Sequence, residues 1–192
     1  MSVDLTQEER AIAEGHAGAG AAMAMRIVAD SAARAIGRIN PNVSVELHNC
    51  RIDESNAAAL VAQYDVVADG SDNFATRYVV ADSCAAAGRP LVHAAVGRFD
   101  GQLTVLAPYE NGPDGQPNPS YRNLFPEPPP EGLVPSCAEA GVLGALTGVI
   151  GTLQAMEVIK LIAGIGEPLV GRLLLYEALA ARFNTIRYKA RN

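Results

Sequence analysis

The feature that most constrains this chain is the order in which its apolar runs arrive between residues 64 and 107. Tyr64-Asp65-Val66-Val67-Ala68-Asp69 reads as a short buried strand, and Ala75 to Ala87 as a helix. Gly88-Arg89-Pro90 then leads into a strand over Leu91 to Ala95, and Gly101 to Ala107 reads as another. Strand, helix and strand in that succession predict an α/β fold with a Rossmann-like, mostly parallel sheet and right-handed crossovers. Such sheets bind ligands just past the carboxyl ends of their strands. The candidate positions are therefore the turn Gly70-Ser71-Asp72-Asn73 and the turn after Ala95.

Upstream, Ile27, Ala32, Ala35, Ile36 and Ile39 recur at helical spacing, and Asn40-Pro41-Asn42 ends the pattern because proline disfavours helical geometry in the residue before it. Val43 to Leu47 alternates as a strand, and Asp53-Glu54-Ser55-Asn56 supplies capping residues for a helix over Ala57 to Ala62. Downstream, residues 108–136 read as a long loop carrying Pro108, Pro113, Pro117, Pro119, Pro126 and a proline run at 128–130. Loops of that length are usually functional or mobile. A Gly-rich helix over about 140–163 follows, then a late pair of strands, Gly171 to Tyr176 and Phe183 to Tyr188.

Residues 1–27 read as a separate leader. Gly15 to Ala22 contains Gly-x-Gly, but no buried strand precedes it, so the expectation is a flexible or weakly helical segment rather than a phosphate loop. A net charge of -6 and a pI near 5.0 give no basic surface for a nucleic-acid backbone. Cys50, Cys84 and Cys137 are widely spaced and odd in number, which suits reduced thiols and a cytoplasmic setting. The chain opens on Asp4, Glu8, Glu9 and Arg10, unlike a secretory signal. Gln154, Glu157 and Lys160 interrupt the most apolar segment and leave only about thirteen uncharged residues, too few for a bilayer, so a buried helix is expected there. Gly144, Gly148 and Gly151 would allow close backbone approach on that helix, which predicts a homodimer or a heteromer.

Four strings occur in one order. They are Asp69-Gly70-Ser71-Asp72-Asn73 with Arg77, Gly97-Arg98-Phe99-Asp100-Gly101-Gln102, Tyr121-Arg122-Asn123-Leu124-Phe125-Pro126, and Cys137-Ala138-Glu139-Ala140-Gly141-Val142 running into Gly148 to Glu157. Together they resemble the ThiF/MoeB adenylyltransferases of molybdopterin and thiamine biosynthesis, relatives of ubiquitin-activating enzymes, over about residues 28–188. The resemblance implies ATP-dependent adenylation of the C-terminal glycine of a ubiquitin-like sulfur-carrier protein. It implies that Asp72 lies beside the triphosphate and its magnesium, with Asn73 and Arg77 in the same nucleotide site. A carboxylate at a strand's carboxyl end suits a hard cation. The same Ser-Asp-Asn string is equally good turn and helix-cap chemistry.

Cys137 matches a cysteine that some members use in sulfur transfer or adduct formation, and the alternative is a semi-buried structural thiol. Arg98 and Arg122 are either solvated or aimed at phosphate or at the carrier's acidic surface. His48 and His93 read as core histidines in apolar strands.

The chain also departs from the family pattern. The glycine-rich phosphate loop, an acidic residue after the second strand and an arginine-bearing segment should precede residue 28 and do not. Arg26-Ile27-Val28-Ala29 stands where a lysine is expected, and Ser120-Tyr121-Arg122-Asn123 where a zinc-binding Cys-x-x-Cys is expected, so no zinc is anticipated. Residues 28–192 are thus read as the C-terminal portion of a ThiF-type domain. Such a portion is expected to be inactive or very weak alone for want of the N-terminal ATP-binding half. The alternative is a non-catalytic module for carrier docking or dimerisation.

Overall fold

The computed structural model describes residues 29–130 and 141–190. The chain divides into two units, Met1–Arg51 and Ile52–Asn192. In the first, helix α1 spans residues 29–39, and the Asn40 N–H donates to Ile36 O at 2.8 Å as the helix ends before Pro41. The strand expected over Val43–Leu47 is not formed. Val43, Val45 and Leu47 are all exposed, and no ladder joins them to a partner. Alternation marks a strand only where a neighbouring edge accepts its backbone hydrogen bonds, and the described residues of this unit provide none.

The second unit holds the sheet. Helix α2 spans Ala57–Val61, strand β1 Val67–Asp69, helix α3 Phe74–Ala87, strand β2 Leu91–Val96 and strand β3 Asp100–Leu106. One helical turn, α4, covers Tyr121–Leu124, helix α5 covers Gly144–Ala163, and strands β4 (Arg172–Glu177) and β5 (Arg182–Arg187) close the order. The strands lie in sequence order, β1-β2-β3-β4-β5. Only β1 and β2 run parallel; the other three pairings are antiparallel. The Rossmann-like α/β reading holds, but the described sheet is mixed rather than mostly parallel. Between β2 and β3 stand only Gly97, Arg98 and Phe99, far short of the dozen or so residues a parallel crossover needs, so a hairpin is forced.

Side-chain alternation gives the sheet two distinct faces. Leu91 and Leu106 pack with Tyr78, Val80, Ala81 and Cys84 of α3 and with Tyr121. Val92, Ala94, Leu103 and Val105 point the other way, against Leu146 and Ile150 of α5. A Cβ at Gly101 would lie 2.5 Å from Ile150 Cδ1, so this glycine is what lets α5 lie close on β3. Gly88 ends α3 and Gly164 ends α5, each left-handed at φ 62° and 63°, where glycine avoids the Cβ penalty.

Helix α5 corrects two expectations. It is not buried all round: Leu146, Ile150 and Glu157 face the sheet, while Met156, Ile159 and Ile162 are exposed. By length and composition its 20 residues are also long and apolar enough to cross a membrane, with mean hydropathy 1.4, because two charges in a window of that length do not offset the aliphatic run. In this fold those two charges are paired. Glu157 accepts the Leu169 N–H at 2.9 Å and pairs with Lys160, fixing the turn into β4.

Within the described part of the proline-rich stretch, residues 121–125 are tied into the core. Tyr121 is buried, with its ring centroid 5.0 Å from each of Tyr78, His93 and Phe125. The Tyr78 hydroxyl donates to Phe125 O at 2.8 Å.

Candidate functional site

The turn from β1 to α3 is built by its own polar residues. Asn73 takes the extended conformation of an N-cap, and its side chain accepts the Thr76 N–H at 2.8 Å, a bond worth about 1 kcal/mol to such a helix. Ahead of it, the Ser71 N–H donates to Asp69 Oδ1 at 2.8 Å. Buried Arg77, one turn into α3, reaches back so that Nε and Nη2 donate to Ser71 O at 3.1 and 2.9 Å. Gln154 of α5 donates Nε2 to both Asp69 O and Val92 O at 2.9 Å, tying the carboxyl end of β1 to β2. Asp72, held between these bonds, is exposed.

A cleft of ≈ 140 Å³ opens at this point, lined by Gly70, Ser71, Asp72 and Arg77, by Ala94 to Val96 of β2, and by Thr147, Gly151 and Gln154 of α5. It sits past the carboxyl ends of β1 and β2, where the strand order predicted a site. Asp72 and Arg77 are thus brought together, while Asn73 serves as the cap. Cys137 lies outside the described residues.

Arg122 forms a two-bond pair with Asp82, at 3.3 and 2.7 Å, and lies over the Tyr78 ring. Arg98 lies over the Phe99 ring at the β2–β3 turn. His93 is a core residue as expected, whereas His48 stands in the exposed stretch where no strand forms. Cys84 is enclosed: burial, with a lesser push from the Asp69 charge, raises its thiol to about 12. Among the described residues no cluster of three or more His, Cys, Asp or Glu side chains is placed to hold a metal.

Sequence reading missed two parts of the site. One is the buried pair of Asp69 and His93, 3.0 Å apart, detectable only from the register that sets them opposite each other. Burial pushes the Asp69 carboxyl up. The hydrogen bonds from His93 and Ser71, with the attraction of the His93 ring, outweigh burial and hold it below its ordinary value. The other is Gln154, whose signal is a lone amide one turn after Ile150 on the sheet-facing side of an apolar helix.

The fit to a magnesium nucleotide is partial. Asp72 is free to meet a hard cation through oxygen. Arg77 is the one cation among the described residues lining the cleft, and its Nε and Nη2 are already committed to Ser71 O. The ≈ 140 Å³ also falls below the roughly 300–1,000 Å³ of a small-molecule pocket. These residues form one wall of a cleft, with an exposed carboxylate at Asp72 and a single lining cation at Arg77 among the described residues.

The architecture is that of a Rossmann-like α/β domain. The crystal structure of E. coli MccB with ATP superposes at a TM-score of 0.66 with 16% identity, covering 84% of this chain and 48% of that one. Residues 22–192 match the ThiF family, and the chain belongs to it. It is 47% identical over 184 residues to the probable adenylyltransferase/sulfurtransferase MoeZ of Mycobacterium tuberculosis, covering 96% of this chain and 45% of that protein. It is 50% identical over 161 residues to the SAMP-activating enzyme E1 of Haloferax volcanii, covering 84% and 57%. With the sulfur carrier protein adenylyltransferase of Thermus thermophilus it shares 49% over 148 residues, covering 77% and 54%. The chain spans about half the length of the curated relatives it matches.

Proposed function

We propose that this chain contributes the metal-side wall of an adenylyltransferase that uses ATP to activate the C-terminal carboxylate of a small sulfur-carrier protein. The observation that carries the reading is Asp72, exposed at the carboxyl end of β1 and lining the cleft, in a chain of the ThiF family. The names of the MoeZ and sulfur-carrier relatives and the ATP in the MccB crystal structure support the same chemistry. Asp72 holds magnesium in this reading, and the ion spreads phosphate charge when bound. Asn73 and Arg77 hold the turn in which Asp72 stands. Because Arg77 is the one cation lining the cleft among the described residues, and its Nε and Nη2 already bind Ser71 O, activity of the chain by itself is weak. A partner chain carrying a glycine loop and cationic side chains raises it.

The setting we propose is cytoplasmic, with thiols reduced and without zinc. The exposed Met156, Ile159 and Ile162 of α5 pack against a second chain, so that a homodimer or a heteromer is the working form. Ile162→Asp is expected to shift sedimentation to the monomer while circular dichroism stays unchanged.

Carrier-dependent exchange of pyrophosphate into ATP tests the activity. The chain with a supplied nucleotide-binding half should exchange, and Asp72→Ala should lower that rate at least about a hundredfold. Full exchange by Asp72→Ala would remove the role assigned to this carboxylate.

A further inference from the structure

Asp69, His93 and Thr104 occupy facing register positions on β1, β2 and β3. They form a polar row across the face covered by α3 and Tyr121, and they are only 6%, 1% and 0% exposed. A polar row so deeply placed is costly unless its hydrogen bonds are made. Thr104 Oγ1 donates toward Leu169 O and Arg172 O, at 3.3 and 2.9 Å, and lies 2.7 Å from the Tyr188 hydroxyl. Asp69 is matched on both oxygens, by Ser71 N–H and by His93 Nδ1. His93 stands apart, because Nε2 is buried and has no hydrogen-bond partner among the described residues.

Among the described residues the single polar contact of the His93 side chain is thus the one to Asp69. For packing against Tyr121 alone, an apolar ring of similar size would serve without a desolvated nitrogen. What the imidazole adds is a donor that fixes the rotation of the Asp69 carboxylate, so that its other oxygen faces the Ser71 amide. Arg77 grips the carbonyl of the same residue. The peptide units on both sides of Ser71 are therefore held, and the second of them leads directly into Asp72.

We infer that His93 is a positioning residue for Asp72: its Nδ1–H orients the Asp69 carboxylate, which holds the Ser71 N–H and so sets the direction in which Asp72 enters the cleft. The inference rests on the reading of Asp72 as the metal-side carboxylate, but its primary readouts do not.

The test is heteronuclear NMR on the full chain. In the wild type, the His93 ring proton should reside on Nδ1, and the Ser71 amide should lie at low field with slow exchange. His93→Phe keeps a ring against Tyr121 without the donor. It should move the Ser71 amide upfield and speed its exchange roughly tenfold, while the methyl signals of Val92 and Leu103 on the opposite face stay in place. His93→Asn, whose side-chain amide can stand in for Nδ1, should restore both. An unmoved Ser71 amide in His93→Phe overturns the inference. If that variant does not fold, a wild-type imidazole protonated on Nε2 with a bare Nδ1 overturns it equally.

Manganese broadening at the Asp72 amide should then require roughly tenfold more metal in His93→Phe than in the wild type or His93→Asn. Absence of broadening in the wild type, with the Ser71 signals responding as stated, would support the positioning of the turn and refute the metal reading of Asp72.

Discussion

The two faces of the sheet are built on opposite principles. On the α5 side, Val92, Ala94, Leu103 and Val105 pack in a mainly aliphatic cluster in which Tyr176 is the one ring among the described residues, and Gly101 is bare so that the helix can come close. On the α3 side the same strands carry Asp69, His93 and Thr104 among Tyr78, Tyr121 and Tyr188. Leu103 and Thr104 are adjacent in sequence and face opposite ways. The aliphatic face is non-directional and tolerates approximate shapes, whereas the polar face works only with specific partners at hydrogen-bond distance. The polar face holds the turn bearing Asp72 through the Asp69 carboxylate and the Ser71 N–H, so directional bonds in the core fix the geometry of a surface turn.

The sharpest break of this comparison is a pair of neighbouring substitutions. Leu103→Ala should cost about 3 kcal/mol in urea unfolding through the cavity it leaves, with the Ser71 amide unmoved. Thr104→Val keeps the shape but removes the partner of the Tyr188 hydroxyl and the hydroxyl bond to Arg172 O, while Leu169 O keeps the Val105 and Arg172 N–H groups, at a cost of about 2 kcal/mol. Equal and negligible costs from both would mean that the two faces do not differ as described.

Alkaline pH should expose the polar face next. Burial raises the Tyr121 and Tyr188 hydroxyls from 10.0, and the Cys84 thiol from 9.0, to about 12. The folded chain therefore holds protons that the unfolded chain releases. The stability due to these groups is fully present below their unfolded values and is lost as pH rises towards about 12. Urea midpoints that do not fall across that window would contradict this. Asp69 has the opposite sign. Its lowered value gives stability that is present above the ordinary 3.8 and is lost as pH falls through the folded value. Asp69→Asn should flatten the acid limb of the stability curve at a cost of about 1 kcal/mol near neutrality.

The smallest effect is chemical rather than energetic. A maleimide should label exposed Cys50 quickly, while native Cys84, enclosed and undissociated at neutral pH, reacts only as fast as the unit opens.

Much of this was legible in the chain. Apolar spacing and the Gly88-Arg89-Pro90 stop located α3 and β2, and the late strand pair came out within a residue or two of β4 and β5. The Asp72 turn was placed correctly because strand ends in such folds are fixed by topology. What failed depended on partners. Val43 to Leu47 alternates well yet has no edge to pair with in its own described unit. The three residues between β2 and β3 encode a hairpin, but strand patterns do not show direction. The outward side of α5 is as apolar as its inward side, so composition could not separate them. Asp69 and His93 are 24 residues apart, and only the pairing register makes them one unit.

The docking of Tyr121 has a further consequence for how the chain tolerates change. The segment from Leu106 to Tyr121 has both ends tied down. The Asn118 N–H donates to Glu110 O at 2.9 Å, its side chain donates to Ala107 O at 3.2 Å, and the Tyr121 ring closes the far end. Between those ties the chain turns through Gly115, left-handed at φ +74° with open space beside it. A loop whose ends are already held loses little more entropy when its tip grows, since the closure cost rises only logarithmically with length. The Gly115 tip is therefore a natural port for an inserted epitope, a fluorophore-bearing peptide or a whole guest domain, attached to the sheet unit away from the turn that carries Asp72.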